Sequence, residues 1–484
     1  MFISFLSLAP IFIAVFLFSL WRPKVAIFLP IVFHLSFLVK TRLFFMPSTG
    51  LELMIVGVLL GVWMGCCSPL IRGVRGVFFQ TNCQTPFRSP LSRGNLRRII
   101  STEHFVTVFL VFLFVLSATI SAIIAPHFTT AWGEWKAFVA EPILYAVTLI
   151  FFVKRYKLES RFIAALLGGG LVSCLFSLVF WHLGADFWRF RGIYDVPNSL
   201  ALILAPLLVI AVLVFLENMT LSVASAKKQR LFLGIIMCVF GFLLLATQSI
   251  AGIISVGVSL TIIIFIRKKL NRRIVIGLFL LIMFAVGAQI FSGKIPHLFN
   301  PTSSSFIARE QIWTVAVALI KDHPLLGTGL GTFEPAYQEK LKILNTNFGS
   351  SGVLEWVVRD PHNIVLSFWL NSGLLGLLSM SGLVVIGFKK AFGVVNTRGS
   401  EDLSYSPLIR GIKWVWRRVA AKTPPRPLLW VSDVGLPLSG EESQFRLIAS
   451  IAILTLVIFG LFDVPYWKND LALLWWVYLL GAIL

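Results

Sequence analysis

The sequence predicts an all-α polytopic membrane protein with about thirteen transmembrane helices and one large, mainly helical loop on the outer face. Three observations carry that prediction. The 484 residues are 57% hydrophobic and only 13% charged, with mean hydropathy +0.89, which leaves too little polar surface for a soluble globule. Apolar runs approaching the ~20 residues that cross a bilayer recur along the whole length. Lys and Arg collect in alternate loops, as they do in polytopic proteins. Within lipid each backbone N–H and C=O must be paired inside its own segment, so the apolar runs are expected to be helices.

In chain order, 1–66 carries N-terminal spans near 4–20, 25–40 and 51–66. Residues 1–20 lack a basic start and a small-residue cleavage site, so a retained helix is expected there. A basic loop over 67–102 leads into a transmembrane core, 103–292, with spans near 105–125, 137–153, 162–182, 199–216, 231–247, 249–266 and 274–292. The polar segment 293–361 follows, then a span in 362–388, a second long basic loop over 389–446, and spans near 447–462 and 471–484 within 447–484.

The formal charge of +21 suggests nucleic acid only until its placement is examined. Loops 67–102, 154–161, 217–230, 267–273 and 389–446 hold 28 of the 42 Lys and Arg, all on one face. That is the pattern of cytoplasmic loops, so the chain is oriented by it and no nucleic-acid partner is expected. The opposite face carries 126–136, 183–198, the turn Thr247-Gln248-Ser249, the loop 293–361 and 463–470. Cys66, Cys67 and Cys83 lie at or in a basic loop while Cys174 and Cys238 lie in spans, so no disulfide framework is implied.

Ser68-Pro69-Leu70-Ile71-Arg72-Gly73 recurs as Ser406-Pro407-Leu408-Ile409-Arg410-Gly411, with a near copy at Ser89-Pro90-Leu91-Ser92-Arg93-Gly94. The irregular period excludes a solenoid, and long surface loops tolerate such insertions at little entropic cost. A partner-binding arm is the alternative reading.

Three outer-face features have residue types suited to chemistry. Arg189 and Arg191 precede Val196-Pro197-Asn198 at the mouth of the span 199–216. Pro197 fits a helix start and sets Arg191 in a short loop facing that mouth. Arginines beside a bilayer also snorkel to headgroups, so spacing alone leaves both roles open. Arg309 lies in an expected surface helix, 304–321, capped by Ser304 or Ser305, with Phe306, Ile307, Trp313, Ala316, Val317 and Ile320 as its apolar stripe. Arg309 and Trp313 are four positions apart on one helix face, which would let the guanidinium stack on the indole. His362 follows Asp360-Pro361 at the start of the next span, where an imidazole can take a proton near neutral pH and Asn363 or Asp360 could fix its tautomer. By itself a lone His, or an Arg on a surface helix, is more often structural. The remaining histidines form no metal-ligand spacing, so no metal is expected.

Gly327-x-Gly329-x-Gly331 follows a Pro-terminated helix and has the wrong spacing for a dinucleotide fingerprint, so it reads as a flexible turn or hinge. Gly168-Gly169-Gly170, inside a span, reads as a close helix contact or bend.

Taken in order, Arg191-Gly192…Pro197-Asn198-Ser199-Leu200-Ala201, Thr247-Gln248-Ser249, Arg309-x-x-x-Trp313, Asp322-His323-Pro324-Leu325-x-Gly327-x-Gly329-x-Gly331-x-Phe333 and His362-Asn363…Gly373-Leu374-Leu375-Gly376 resemble the bacterial O-antigen ligase/O-antigen polymerase family. The resemblance covers roughly 100–390 and the final spans. One departure stands at Ile250, where the family often has Arg after Thr-x-Ser, so no substrate contact is assigned to that turn. The resemblance implies a GT-C-type glycosyltransferase of the bacterial inner membrane, metal-independent, inverting and without cofactor. It implies a periplasmic 293–361 loop, an undecaprenyl-diphosphate-linked glycan as donor, and a hydroxyl on glycan, lipid A core or another acceptor. Arg191 and Arg309 then bind diphosphate with Arg309 facing Arg191, and His362 stands by the acceptor hydroxyl. Arg189, Asn198, Trp313 and Asn363 are expected to contact substrate.

The competing class is a multi-pass transporter of lipid-linked sugars or small anions. Transporters place polar groups at mid-membrane on pseudo-repeated, broken helices. Here the span interiors are almost free of charge and no matching halves are found.

Overall fold

A computed structural model describes residues 5–43, 46–67, 102–182, 189–219, 224–266, 304–344, 354–401 and 441–484. The architecture is an all-α helical bundle with one small hairpin. Helices α1 (Phe5–Trp21), α2 (Pro23–Ala26) and α3 (Leu29–Val32) lead through a 3-10 turn (His34–Leu38) to strands β1 (Lys40–Leu43) and β2 (Met46–Thr49). Then come α4 (Gly50–Cys67), α5 (Thr102–Ile124), α6 (Phe128–Trp135), α7 (Glu141–Tyr156), α8 (Glu159–His182), α9 (Pro197–Met219), α10 (Ala224–Ala246) and α11 (Ile250–Ile266). Two outer helices, α12 (Ser304–Asp322) and α13 (Phe333–Leu344), precede α14 (Ile364–Glu401), α15 (Glu441–Gly460) and α16 (Asn469–Ile483). Six stretches among the described residues are long and apolar enough to cross a membrane alone: 104–124, 128–156, 159–180, 197–218, 227–246 and 364–390. Shorter apolar helices at 8–21, 23–32, 50–64, 250–265, 444–460 and 469–483 join them. The expected span 274–292 and all three copies of the Ser-Pro-Leu repeat lie outside the described residues.

Helix α9 is the central pillar. It is apolar around its whole circumference from Leu200 to Leu216, and such a helix is stable only when enclosed on all sides. It packs against α10, α11 and α15, while α16 fills the space between α15, α7 and α14.

The expected helix over 25–40 is not formed. Pro23 and Pro30 restart the chain as two short turns, because a proline lacks the N–H that would continue the preceding turn. Neighbours supply part of the missing pairing: the Tyr145 hydroxyl donates to Ile27 O (2.6 Å), and the His34 ring bonds Ile31 O (3.0 Å) and Ser173 Oγ (2.9 Å). A broken crossing is tolerated where protein groups enclose it. Gly169 accommodates it, since a Cβ there would lie 2.5 Å from Ile31 O, which bears out the close contact expected of the glycine run.

Helix α14 breaks at Gly373 (φ 68°, ψ 177°). Thr328 N–H donates to Leu370 O (2.9 Å) and Leu374 N–H to Leu325 O (2.9 Å). Ser121 and Ser117 of α5 donate to the carbonyls of Asn371 and Ser372 (both 2.6 Å). The backbone groups released by the break are thus paired, as burial requires. The 325–331 segment is a packed turn and not a hinge. Gly327, Gly329 and Gly331 all have positive φ, and a Cβ on Gly327 would lie 2.3 Å from Leu370 O.

On α12 the buried stripe is Ile312, Val315, Ala316, Leu319 and Ile320, packed on Phe333, Tyr337 and Leu341 of α13. Val317, expected on that stripe, is exposed. The second basic loop begins later than expected, because α14 stays helical to Glu401.

Cross-links show which loops share an end. Lys136 meets Glu52 (2.6 Å), Asn469 meets Glu52 (2.6 Å), and Asn198 meets Asp463 (2.7 Å), so 46–52, 136, 198 and 463–469 lie together. At the other end Lys24 covers the Tyr156 ring (4.2 Å), Gln444 bonds Glu217 (3.0 Å) and Lys390 bonds Ile483 O (2.7 Å). The two sets separate as the distribution of basic loops predicts.

Candidate active site

The site forms where the Arg189 loop, the 247–249 turn, the 360–363 turn and the loop after α15 converge. Pro197 opens α9 as expected. Gly192 (φ 60°) lets the preceding turn lie on α8, where a Cβ would meet Ser177 Oγ at 2.3 Å. Arg189 Nε donates to Thr247 O (3.2 Å) and its Nη2 to Asn198 Oδ1 (3.2 Å). Asn198 Nδ2 donates in turn to Asp463 Oδ2 (2.7 Å). Asp463 Oδ1 accepts from Val464 N–H (2.8 Å) and pairs with His362 Nδ1 (3.3 Å). A continuous chain therefore links Thr247, Arg189, Asn198, Asp463 and His362.

His362 does not begin α14. It stands just outside it at φ 48°, a left-handed conformation that costs a residue with a Cβ about 1–3 kcal/mol. Its surroundings hold it there. Its N–H donates to Asp360 Oδ1 (3.2 Å), and Trp313 Nε1 donates to Pro361 O (3.0 Å). Asn363 caps α14 by accepting from Val365 and Leu366 N–H (3.0 and 3.2 Å), and its Nδ2 donates to Leu461 O (3.1 Å).

The structure corrects three expectations. Among the described residues, the cation–ring contacts are Arg22 on Trp21 and Lys24 on Tyr156, and Arg309 does not stack on Trp313. Trp313 instead ties α12 to the 360–362 turn. Asn363 is occupied with capping, and His362 Nδ1 faces both the expected Asp360 (Oδ1 at 3.7 Å) and, closer, Asp463 (Oδ1 at 3.3 Å), which the sequence did not single out. Its only sequence signal was a lone carboxylate two residues before a proline at the end of an apolar run.

Charge is concentrated here. Arg309 acts electrostatically on both Arg189 and His362. Burial lowers the pKa of Arg189 and Arg309 lowers it further, with Asp463 opposing. Burial alone would depress the His362 pKa, but the Asp463 hydrogen bond and the charges of Asp360 and Asp463 outweigh burial and the opposing Arg309, leaving it raised. Burial likewise disfavours ionised Asp463, yet bonds from His362, Val464 and Asn198 hold its pKa below the usual carboxylate value. Asp360 is raised, chiefly by burial, against the nearby positive charge of His362 and Lys468. Lys468 donates to Ser199 Oγ beside Asn198. Asp360, His362 and Asp463 offer donor atoms within 4.8 Å of one another, a grouping that could hold a metal ion. Both oxygens of Asp463, however, already accept protein hydrogen bonds.

Fold and site together define a polytopic helical membrane protein with arginine, imidazole and carboxylate groups assembled at one end of its bundle. A family model described as O-antigen ligase matches residues 232–381. An O-antigen ligase of Pseudomonas aeruginosa is 27% identical over 152 residues, a stretch that is 31% of this chain and 33% of that protein. Both matches make the chain similar to the O-antigen ligase/polymerase family over about a third of its length. Arg309, Trp313, His362 and Asn363 fall inside the range of the family model, while Arg189, Arg191, Asn198 and Asp463 lie outside it.

Proposed function

We propose that the protein is a glycosyltransferase of the bacterial inner membrane that joins a glycan from an undecaprenyl-diphosphate carrier to an acceptor hydroxyl in surface polysaccharide synthesis, with its 293–361 loop periplasmic. The observation that carries this reading is the His362–Asp463 pair (3.3 Å) set beside the Arg189 and Arg309 charges. With Nδ1 engaged by Asp463, His362 keeps the Nε2 lone pair for the acceptor. The acceptor oxygen attacks the anomeric carbon from the face opposite the diphosphate, its proton passes to His362 Nε2, and the C–O bond electrons leave with the diphosphate. Direct displacement inverts the anomeric centre. Arg191, Arg189 and Arg309 supply permanent positive charge to phosphate oxygens, and that attraction grows as the leaving group gains charge. These cations serve in place of a divalent metal.

Purified protein in liposomes with the lipid-linked glycan and a hydroxyl acceptor tests the reading. Covalent product should form, survive chelation of divalent metals, and disappear in Arg309→Ala and His362→Ala. Full transfer by both variants would overturn the mechanism. Movement of the lipid-linked glycan across the bilayer without covalent product would show a transporter.

A further inference from the structure

A polar cavity lies away from the residues of the candidate active site. It has a volume of about 430 Å³ and is walled by the C-terminal end of α12, the 328–332 turn, one face of α13 from Pro335 to Ile343 and the turn between α5 and α6. Asp322, His323, Glu339, Lys340, His127 and Thr332 line it, beside apolar atoms of two prolines and of aliphatic side chains. Arg309 sits on the same helix ten residues before Leu319, which lines the cavity, so the two places are separated by roughly 15 Å of helix rise. The volume is within the range of small-molecule sites, roughly 300–1,000 Å³.

Its chemistry is specific. Carboxylates, imidazoles and threonine hydroxyls converge on a surface that also presents aliphatic patches, which is the two-sided character of a sugar ring. Thr332 Oγ1 gives its hydrogen to the carbonyls of Thr328 and Gly329 (both 2.7 Å), leaving its lone pairs to accept. Lys340 Nζ pairs with Asp322 Oδ2 at 2.7 Å, which neutralises both charges and leaves ammonium hydrogens to donate. Among the described residues, Glu339 has no cation within ion-pair distance, so the cavity has one uncompensated negative charge. That charge disfavours acidic sugars and phosphates and favours neutral ones.

We propose that this cavity is a saccharide subsite that grips neutral sugar units of the glycan several residues away from the bond being made. The subsite rests on the glycosyltransferase reading for its role, but its binding can be measured without catalysis. His323 and Glu339 are exposed side chains, so His323→Ala with Glu339→Gln should leave the fold intact.

The probe is the water-soluble glycan released by mild acid from the lipid-linked pool of the producing cell. Titrated into detergent-purified protein, it should bind saturably and at least about tenfold more weakly to the double variant, the loss expected for one hydrogen bond to a charged group. Arg309→Ala should bind it as the parent does while losing transfer, which separates failure of the subsite from failure of the catalytic reading. In transfer assays the double variant should raise KM for long-chain donors and leave single-unit donors unchanged. No saturable binding, equal binding by the double variant, or preference for acidic oligosaccharides would overturn the proposal.

Discussion

Asp463→Asn tests the reasoning about the site most directly. The carboxylate lies 3.3 Å from His362 Nδ1 and also accepts from Asn198 and the Val464 N–H. At an effective dielectric constant near 20, two unit charges at that distance attract by about 5 kcal/mol. Desolvation of both groups offsets much of this, and a charge-assisted hydrogen bond contributes about 1.5–3 kcal/mol net. The expected loss in kcat/KM is therefore roughly 10- to 100-fold, at about 1.4 kcal/mol per factor of ten. The pH profile separates this from simple loss of structure. Asp463 raises the His362 pKa against burial, so removing its charge lets the pKa fall, with only Asp360 left to oppose burial. A general base acts when neutral, so the acid limb of kcat/KM should move to lower pH even as the plateau drops. Initial rates in liposomes across the pH range, with protein fold checked by circular dichroism, read both effects. A lowered plateau with an unmoved acid limb would refute the coupling of Asp463 to His362.

Gly327→Ala puts a Cβ 2.3 Å from Leu370 O at a backbone φ of +69° and should destabilise the protein by about 1–3 kcal/mol, seen as a lower melting temperature in detergent. Gly234→Ala on α10 meets nothing within 4 Å and should be neutral or stabilising, so equal melting of the two variants would contradict the packed-turn account. Trp313→Phe removes the 3.0 Å bond to Pro361 O while keeping an aromatic ring on the α12–α13 core, and should lower kcat roughly fivefold, about 1 kcal/mol, with donor KM unchanged. A raised KM would instead make Trp313 a substrate contact.

The sequence exposed the bundle and its sidedness because both depend on composition. Apolar runs mark helices, and basic loops mark an end. It failed at 25–40 because hydropathy counts apolar residues without registering that Pro23 and Pro30 each remove a helix hydrogen bond. It misread the Gly327, Gly329 and Gly331 turn for a related reason. Glycine permits flexibility and close packing alike, and only the partner backbone at Leu370 distinguishes them. At the site, Arg309 and His362 were found through ordered motifs within one stretch of chain. Asp463 is 101 residues beyond His362, so no local pattern could pair them.

Under the proposed reaction, the charge layout gives this arrangement its catalytic sense. Arg189 is held by Thr247 O and Asn198, and Arg309 projects from a helix packed along its buried stripe, close enough for its charge to act on Arg189. Their repulsion is a property of the fold, and a polyanion between them turns it into attraction. A diphosphate that gains charge as its bond to sugar breaks gains more from that field than the ground state does, and only such a difference accelerates the chemical step. Asp463 belongs to both halves of this device. Its Oδ2 reaches Arg189 through Asn198, and its Oδ1 orients His362. In the proposed reaction, the carboxylate that partly compensates the donor-side cations would thus also set the basicity of the acceptor-side imidazole, so that one buried charge would tune both leaving-group departure and proton removal.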